Sequence, residues 1–423
     1  MTPLALAVLH GNLPIAQHLH ASGYSLTPAA NNGESLLALA ALAQSPSLVR
    51  WLCSLPNHQL LLNARDPAGN TALHYAVVRE NPAVTTALLR AGCDTNIQCL
   101  PPREPDAHGT TAAPLLGYGT PLFCCLDTAT TNPSQPLPAR LAAVRLLLKH
   151  KARTDVPEEA NGLLPLHAAV LSGLVPAVKV LLDEGRADVD AGSTIAQVEA
   201  MRGTTALMFA AGLTSLPMVR LLLDCGANPR AGNHLGETAL HWAGVNESIG
   251  EAELREMIRL LVRGGKKQPG LDVNVRNRVG ATALHGAAWK GRMVNAKVLL
   301  ELGADPGFVA EDMHVDTLLG VSGTAEEFAR REGHWEVAEL IRDWARKRVG
   351  GWEVEKGDGQ VEEDELREDD DGLDDEKGKT YETGEWLGEK QEVLGKGYVQ
   401  IKEEHESEEE VFGVADAPRD RWT

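Results

Sequence analysis

Aromatic residues are scarce in this chain of 423 residues, at 4%. The shortage argues against a large β-sandwich or barrel and suits helices packed through small side chains, since Ala and Leu are abundant. No stretch approaches the 18 apolar residues of a membrane-spanning helix. The first basic residue is Arg50, and the apolar run in the opening MTPLALAVLHG is short. A secretory signal would have a charged head and a longer apolar centre, so secretion is not expected. None of the six cysteines (Cys53, Cys93, Cys99, Cys124, Cys125, Cys225) forms C-x-x-C. Their spacing is irregular, and a bond between the adjacent Cys124 and Cys125 would be strained. They read as reduced thiols of a cytosolic or nuclear protein.

Catalytic signatures are missing as well. There is no G-x-S-x-G elbow, no phosphate-binding Walker loop, no H-E-x-x-H and no G-x-G-x-x-G. The chain is therefore read as non-enzymatic, without catalytic, cofactor-binding or metal-binding residues. A basic surface is missing too. The formal net charge is -19, with 26 acidic and 9 basic residues between Gly350 and Thr423. The preceding 349 residues are almost balanced, with 33 acidic and 31 basic. Direct binding to nucleic acid or to an anionic membrane needs a positive footprint that this chain does not have.

What is present is a period. TPLALA (2–7), SLLALA (35–40), TALHYA (71–76), TPLFCC (120–125), LPLHAA (164–169), TALMFA (205–210), TALHWA (238–243), TALHGA (282–287) and TAEEFA (324–329) recur at intervals of 33 to 49 residues. Several are preceded by Gly and followed, about ten residues on, by a second apolar segment such as VTTALLRAG, AVKVLLDEG or MVRLLLDCG. Thr or Ser at the head suits a helix N-cap, and Pro or Ala next suits the first helical position. The Gly after the second segment suits a left-handed C-cap.

The nine phased motifs resemble the ankyrin repeat, whose unit is a β-turn and two antiparallel helices with T-P-L-H-x-A opening the first. The resemblance covers residues 1–346 and implies an all-α solenoid of stacked helix-turn-helix units with short β-turn tips. Paired alanines (Ala168-Ala169, Ala210-Ala211, Ala287-Ala288) would let neighbouring repeats approach closely. The first repeat starts at Thr2, without a leading turn or polar cap. The ninth replaces the Leu-His pair with Glu326-Glu327, as a capping repeat with a wet outer face should. Insertions break the period near 97–118, 128–139, 191–202, 264–271 and 308–323, where loops are expected. Residues 350–423 carry like-charge runs and are expected to be an acidic disordered tail.

His74, His167, His241 and His285 share one repeat position. They are not read as a metal ladder. Zinc needs nitrogens at about 2.0–2.1 Å, whereas stacked helices lie about 10 Å apart. The resemblance implies instead that each ties its turn to backbone. It further implies that Asn63, Asn96 and Asn274, in the turns after second helices, are candidates for hydroxylation. It places ligands on the concave face, where the two residues after each first-helix motif lie. The first of these columns is mostly apolar with one tryptophan, which is the composition of an interaction hot spot. The candidate protein-binding residues are Val78, Arg79, Leu171, Leu213, Val245, Trp289 and Lys290, with Arg276 and Arg278 at nearby tips. The expected function is a monomeric scaffold or adaptor, cytoplasmic or nuclear, holding a protein segment in that groove. The alternative is an acidic-tail chaperone or decoy for basic proteins of histone or ribosomal type. No cofactor is expected.

Overall fold

Hydroxyl and amide side chains decide where helices begin. In a computed structural model, Thr2, Ser35, Thr120, Thr205 and Thr324 each accept the backbone N–H three residues on, closing the first turn of a helix. Asn12, Ser45 and Asn81 do the same for second helices, with Pro14, Pro46 and Pro82 directly inside the cap. Residues 1–353 are described, except 27–32, 57, 100–118, 128–136, 160, 195–201, 246–249, 266 and 312–321. The acidic segment and most of the insertions lie outside the described residues.

The described helices form nine pairs. The first three are α1 (Pro3–Leu9) with α2 (Leu13–Ala21), α3 (Leu36–Leu42) with α4 (Pro46–Ser54), and, after a single turn α5 (Gln59–Leu62), α6 (Ala72–Val78) with α7 (Pro82–Ala91). The middle three are α8 (Pro121–Leu126) with α9 (Leu137–Lys149), α10 (Pro165–Leu171) with α11 (Val175–Asp183), and α12 (Ala206–Gly212) with α13 (Leu216–Cys225). The last three are α14 (Ala239–Gly244) with α15 (Glu251–Arg263), α16 (Ala283–Trp289) with α17 (Met293–Glu301), and α18 (Ala325–Arg331) with α19 (Trp335–Glu353). First helices pack on first helices of the flanking repeats and second on second, which is the all-α stack expected from the sequence. Ala168, Ala169, Ala210, Ala211, Ala287 and Ala288 are fully buried, so close approach is bought with side-chain size. Gly92 and Gly226 end second helices in the left-handed region, at φ 91° and 105°.

The insertions leave the stack through narrow bases. Cys99 bridges Gly119, Gly192 bridges Thr205, and Gly264 bridges Pro269, all antiparallel. The two-residue strands β1 (Val309–Ala310) and β2 (Gly323–Thr324) pair in the same way. Four of the five added segments thus start and end at one point; among the described residues no such pair spans the insertion at 128–139.

The two ends of the array differ. Leu6 and Ile15 of the first repeat are large apolar side chains left exposed. In the ninth, Glu327 stands where other repeats carry His, and its carboxylate accepts the Thr324 N–H while its own N–H goes to the Thr324 hydroxyl. Glu326 pairs with Arg330 at 2.7 Å along the same helix.

Repeats 3 and 4 share a buried ion pair. Glu80 occupies the turn between α6 and α7 at φ 49°. Its carboxylate meets Arg140 of α9 at 3.3 Å, with the side chains 5% and 7% exposed. Removing one partner takes from the other a close opposite charge in a buried setting, which is costly. Arg140→Ala is therefore expected to destabilise the array by about 3–5 kcal/mol, and urea denaturation of the variant against wild type measures this.

Candidate functional site

The histidine column is the most regular polar feature of the stack. His74 Nδ1 accepts the Thr71 N–H at 3.1 Å, His167 the Leu164 N–H at 3.2 Å, His241 the Thr238 N–H at 3.1 Å and His285 the Thr282 N–H at 3.2 Å. A nitrogen that accepts carries no proton, so the proton sits on Nε2. There it donates to a carbonyl of the following repeat or its tip: Gly119, Ala191, Ala281 and Phe308, at 3.0–3.2 Å. Each imidazole thus ties its own turn, as the family resemblance implied, and also grips the next repeat. In three of these repeats the Thr hydroxyl turns to the imidazole instead of capping the helix.

The turn asparagines are stitches of the same kind. Asn63 Oδ1 accepts the Asp94 N–H at 2.9 Å, Asn96 Oδ1 that of Arg153 at 2.8 Å, and Asn274 Oδ1 that of Asp305 at 2.8 Å. Asp190 does so for Asn228, also at 2.8 Å.

The expected binding residues lie at the ends of first helices and on tips, spread over repeats 3 to 8. Arg79, Arg276 and Arg278 are exposed, Leu213 is 40% exposed, and Val78, Leu171, Val245 and Lys290 are half-buried. At roughly one helix diameter, about 10 Å, per repeat, a ligand touching both Val78 and Lys290 would have to be an extended segment. Part of the apolar column is less exposed than its sequence suggests, because neighbouring repeats pack closely where glycines face larger side chains. A methyl on Gly286 would meet Val245 Cγ1 at 2.9 Å, and one on Gly212 would meet the Trp242 ring at 2.8 Å.

Trp289 was expected to be exposed and is not. It is 5% exposed, with the Lys290 ammonium 4.3 Å from its ring centre. The cation covers the indole face and is held there by its quadrupole. Among the described residues, the exposed tryptophan is Trp335, 65% exposed at the start of α19. Cations rest on aromatic faces elsewhere at this end of the array, Arg276 over Phe308 at 5.6 Å and Arg331 over Phe328 at 5.2 Å. Arg292 donates to the Val245 carbonyl at 3.0 Å. Burial lowers the pKa of both Lys290 and Arg292.

One constellation escaped sequence reasoning. Cys99, at the base of the 100–118 insertion, and Cys124, on α8, come together with His74, and all three are buried. Cys124, read from the sequence as a reduced thiol, is fully buried beside the other two. Hydrogen bonds from Cys124 and from His74 lower the pKa of the Cys99 thiol against the effect of its burial, and the bond to Cys99 together with burial raises that of Cys124. Steps of 25 residues separate the three, a spacing that matches no local ligand motif.

Comparison with known proteins places these features in context. A family model described as "Ankyrin repeats" matches residues 4–99 and 189–254, and one described as "Ankyrin repeat" matches 161–193. The chain is 31% identical over 236 residues to the B-cell lymphoma 3 protein homolog of Mus musculus, covering 53% of this chain and 48% of that protein. It is 29% identical over 248 residues to the NF-kappa-B inhibitor delta of Mus musculus, covering 57% of this chain and 70% of that protein. The chain thus spans about half the length of the first of these relatives. The crystal structure of the human ASB11 ankyrin repeat domain aligns with a TM-score of 0.43 and 23% identity, over 61% of this chain and 98% of that one. Among the described residues, no helix is long and apolar enough to cross a membrane.

The histidine ties have a pH signature. Burial holds His167 and His285 down at about 4, against an ordinary value near 6.5. The unfolded chain therefore binds more protons than the folded one between these values. The neutral imidazoles contribute their full stability above about pH 6.5 and lose it progressively as pH falls toward 4. Acidification from pH 7 to 5 is expected to cost about 2 kcal/mol per histidine. Urea midpoints across that range, with His167→Gln showing a shallower slope, test the expectation.

Proposed function

The chain is an ankyrin-repeat protein, and on that premise we propose that it is a non-catalytic scaffold or adaptor that holds a protein segment along the concave face of its repeats. The observation that carries the reading is the row at the ends of the first helices. Val78, Leu171, Leu213 and Val245 form its apolar part, and Arg79, Arg276, Arg278 and Lys290 its cationic part. The matching segment is extended and presents apolar side chains among carboxylates. Trp289 takes part as a buttress that positions Lys290, not as a contact surface. Hot spots are partly desolvated groups ringed by others that exclude water, and half-buried apolar residues beside supported cations meet that description. The similarity to the B-cell lymphoma 3 protein homolog and to the NF-kappa-B inhibitor delta, the latter an inhibitor of NF-kappa-B by its name, supports a regulatory binder working in cytoplasm or nucleus.

A second reading rests on the charge of residues 350–423, where 26 acidic residues face 9 basic ones. In that reading the acidic segment captures basic proteins and the repeats position it.

Affinity purification with the full chain, with Leu213→Glu and Val78→Glu, and with residues 1–356 separates the two. The groove reading expects both substitutions to lose partners while residues 1–356 keep them. Weakening by Arg276→Glu should be largest at low ionic strength, because exposed charges are screened beyond about 10 Å at 0.1 M salt. Undiminished recovery in both groove variants, with loss on truncation, supports the acidic segment instead.

A further inference from the structure

The surroundings of two equivalent histidines differ in one chemical respect. Around His285 the next repeat supplies Phe328, with ring centres 5.8 Å apart, and strand β1 supplies Ala310. Ala310 pairs with Gly323, the residue before Thr324, and Phe328 comes four after that threonine. Around His74 the same two places are held by cysteines. Cys99 pairs with Gly119, the residue before Thr120, and Cys124 comes four after that threonine. His167 likewise faces a phenylalanine, Phe209, with ring centres 5.3 Å apart. Beneath His241 the corresponding position is Gly286. Only the shell of His74 has two thiols among these four.

The donor atoms of His74, Cys99 and Cys124 lie within 4.8 Å of one another. In a tetrahedral zinc site, bonds of about 2.3 Å to sulfur and 2.0–2.1 Å to nitrogen put neighbouring donors roughly 3.5–3.8 Å apart. Side-chain adjustments of about an ångström close the difference. We propose that His74, Cys99 and Cys124 form a site for a thiophilic metal ion, Zn²⁺, that clamps repeat 3 to repeat 4 at the base of the 100–118 insertion.

The donor set matches that ion. Two sulfurs and an imidazole, with no carboxylate in the cluster, exclude Mg²⁺ and Ca²⁺. Two thiolates cancel the charge of Zn²⁺, so the complex is neutral and suits a buried position. The protons balance as follows. Both thiols release theirs to solvent. The imidazole stays neutral, and its proton passes from Nε2, the nitrogen that binds the ion, to Nδ1. There it donates to Thr71 Oγ1, 2.9 Å away, and the ring gives up the Thr71 N–H. This change frees the Gly119 carbonyl from the imidazole, while it keeps the Cys99 N–H at 2.9 Å and has a second lone pair to offer. It stands 3.2 Å from both His74 Nε2 and the Cys99 sulfur and offers an oxygen for a fourth position.

The test uses the full chain, kept reduced with a phosphine, stripped with a chelator and titrated with Co²⁺. One equivalent is expected to give thiolate-to-cobalt charge transfer in the near ultraviolet and the strong visible bands of tetrahedral cobalt. One equivalent of Zn²⁺ should bleach both and raise the thermal midpoint. Cys99→Ala, which places at 99 the residue found at 310, and Cys124→Ala should each weaken binding by about 100-fold or more, whereas Cys125→Ala should leave it unchanged. Cadmium NMR of the wild-type chain reads the donor set without any substitution. A resonance typical of two sulfurs and a nitrogen supports the site, and one typical of oxygen donors overturns it. No charge-transfer band from folded, reduced wild type, or a band that persists in Cys99→Ala, also overturns it.

Discussion

Helices of six to ten residues do not hold their shape alone in water, and most of those in this array are no longer. Each pair buries one side internally and has only its neighbours to cover the rest. Everything else in the array follows from that constraint. Alanine pairs on the first helices set how near the neighbours come. Glycine replaces a side chain where a neighbouring repeat's Trp242 or Val245 needs room. In the first repeat Leu6 and Ile15 remain exposed, and in the ninth the chain substitutes Glu326 and Glu327.

Polar bonds between repeats add direction to packing that is otherwise non-specific. The imidazoles reach forward to a carbonyl, the turn Asn and Asp side chains reach forward to an N–H, and Glu80 reaches Arg140. All of them cross from one repeat to the next, so the interface is specified at its tip, its middle and its outer layer. Four of the insertions begin and end in antiparallel pairs, which closes each at its base.

Much of this was legible in the residue order. Thr and Ser caps, prolines at first helical positions and glycines at left-handed ends are local devices, and the structure has them where the pattern puts them. The histidine column was legible as a turn tie through family resemblance, but its forward bond was not, since the accepting carbonyl lies 23 to 45 residues away. Trp289 shows the limit most clearly. Its column suggested an exposed hot spot, yet Lys290 folds over it, and the exposed indole is Trp335. Burial at a helix end depends on which neighbour covers it, and a single repeat does not contain that information.

By itself, the sequence determined the kind of unit and the number of phased motifs, because caps, breakers and apolar periods act within a few residues. Only the tertiary structure decided which residues of the concave column keep surface and which become support. It alone brought His74, Cys99 and Cys124 to one point, across an insertion and a repeat boundary. Both outcomes depend on contacts between repeats, and those distances exist only once the stack has formed.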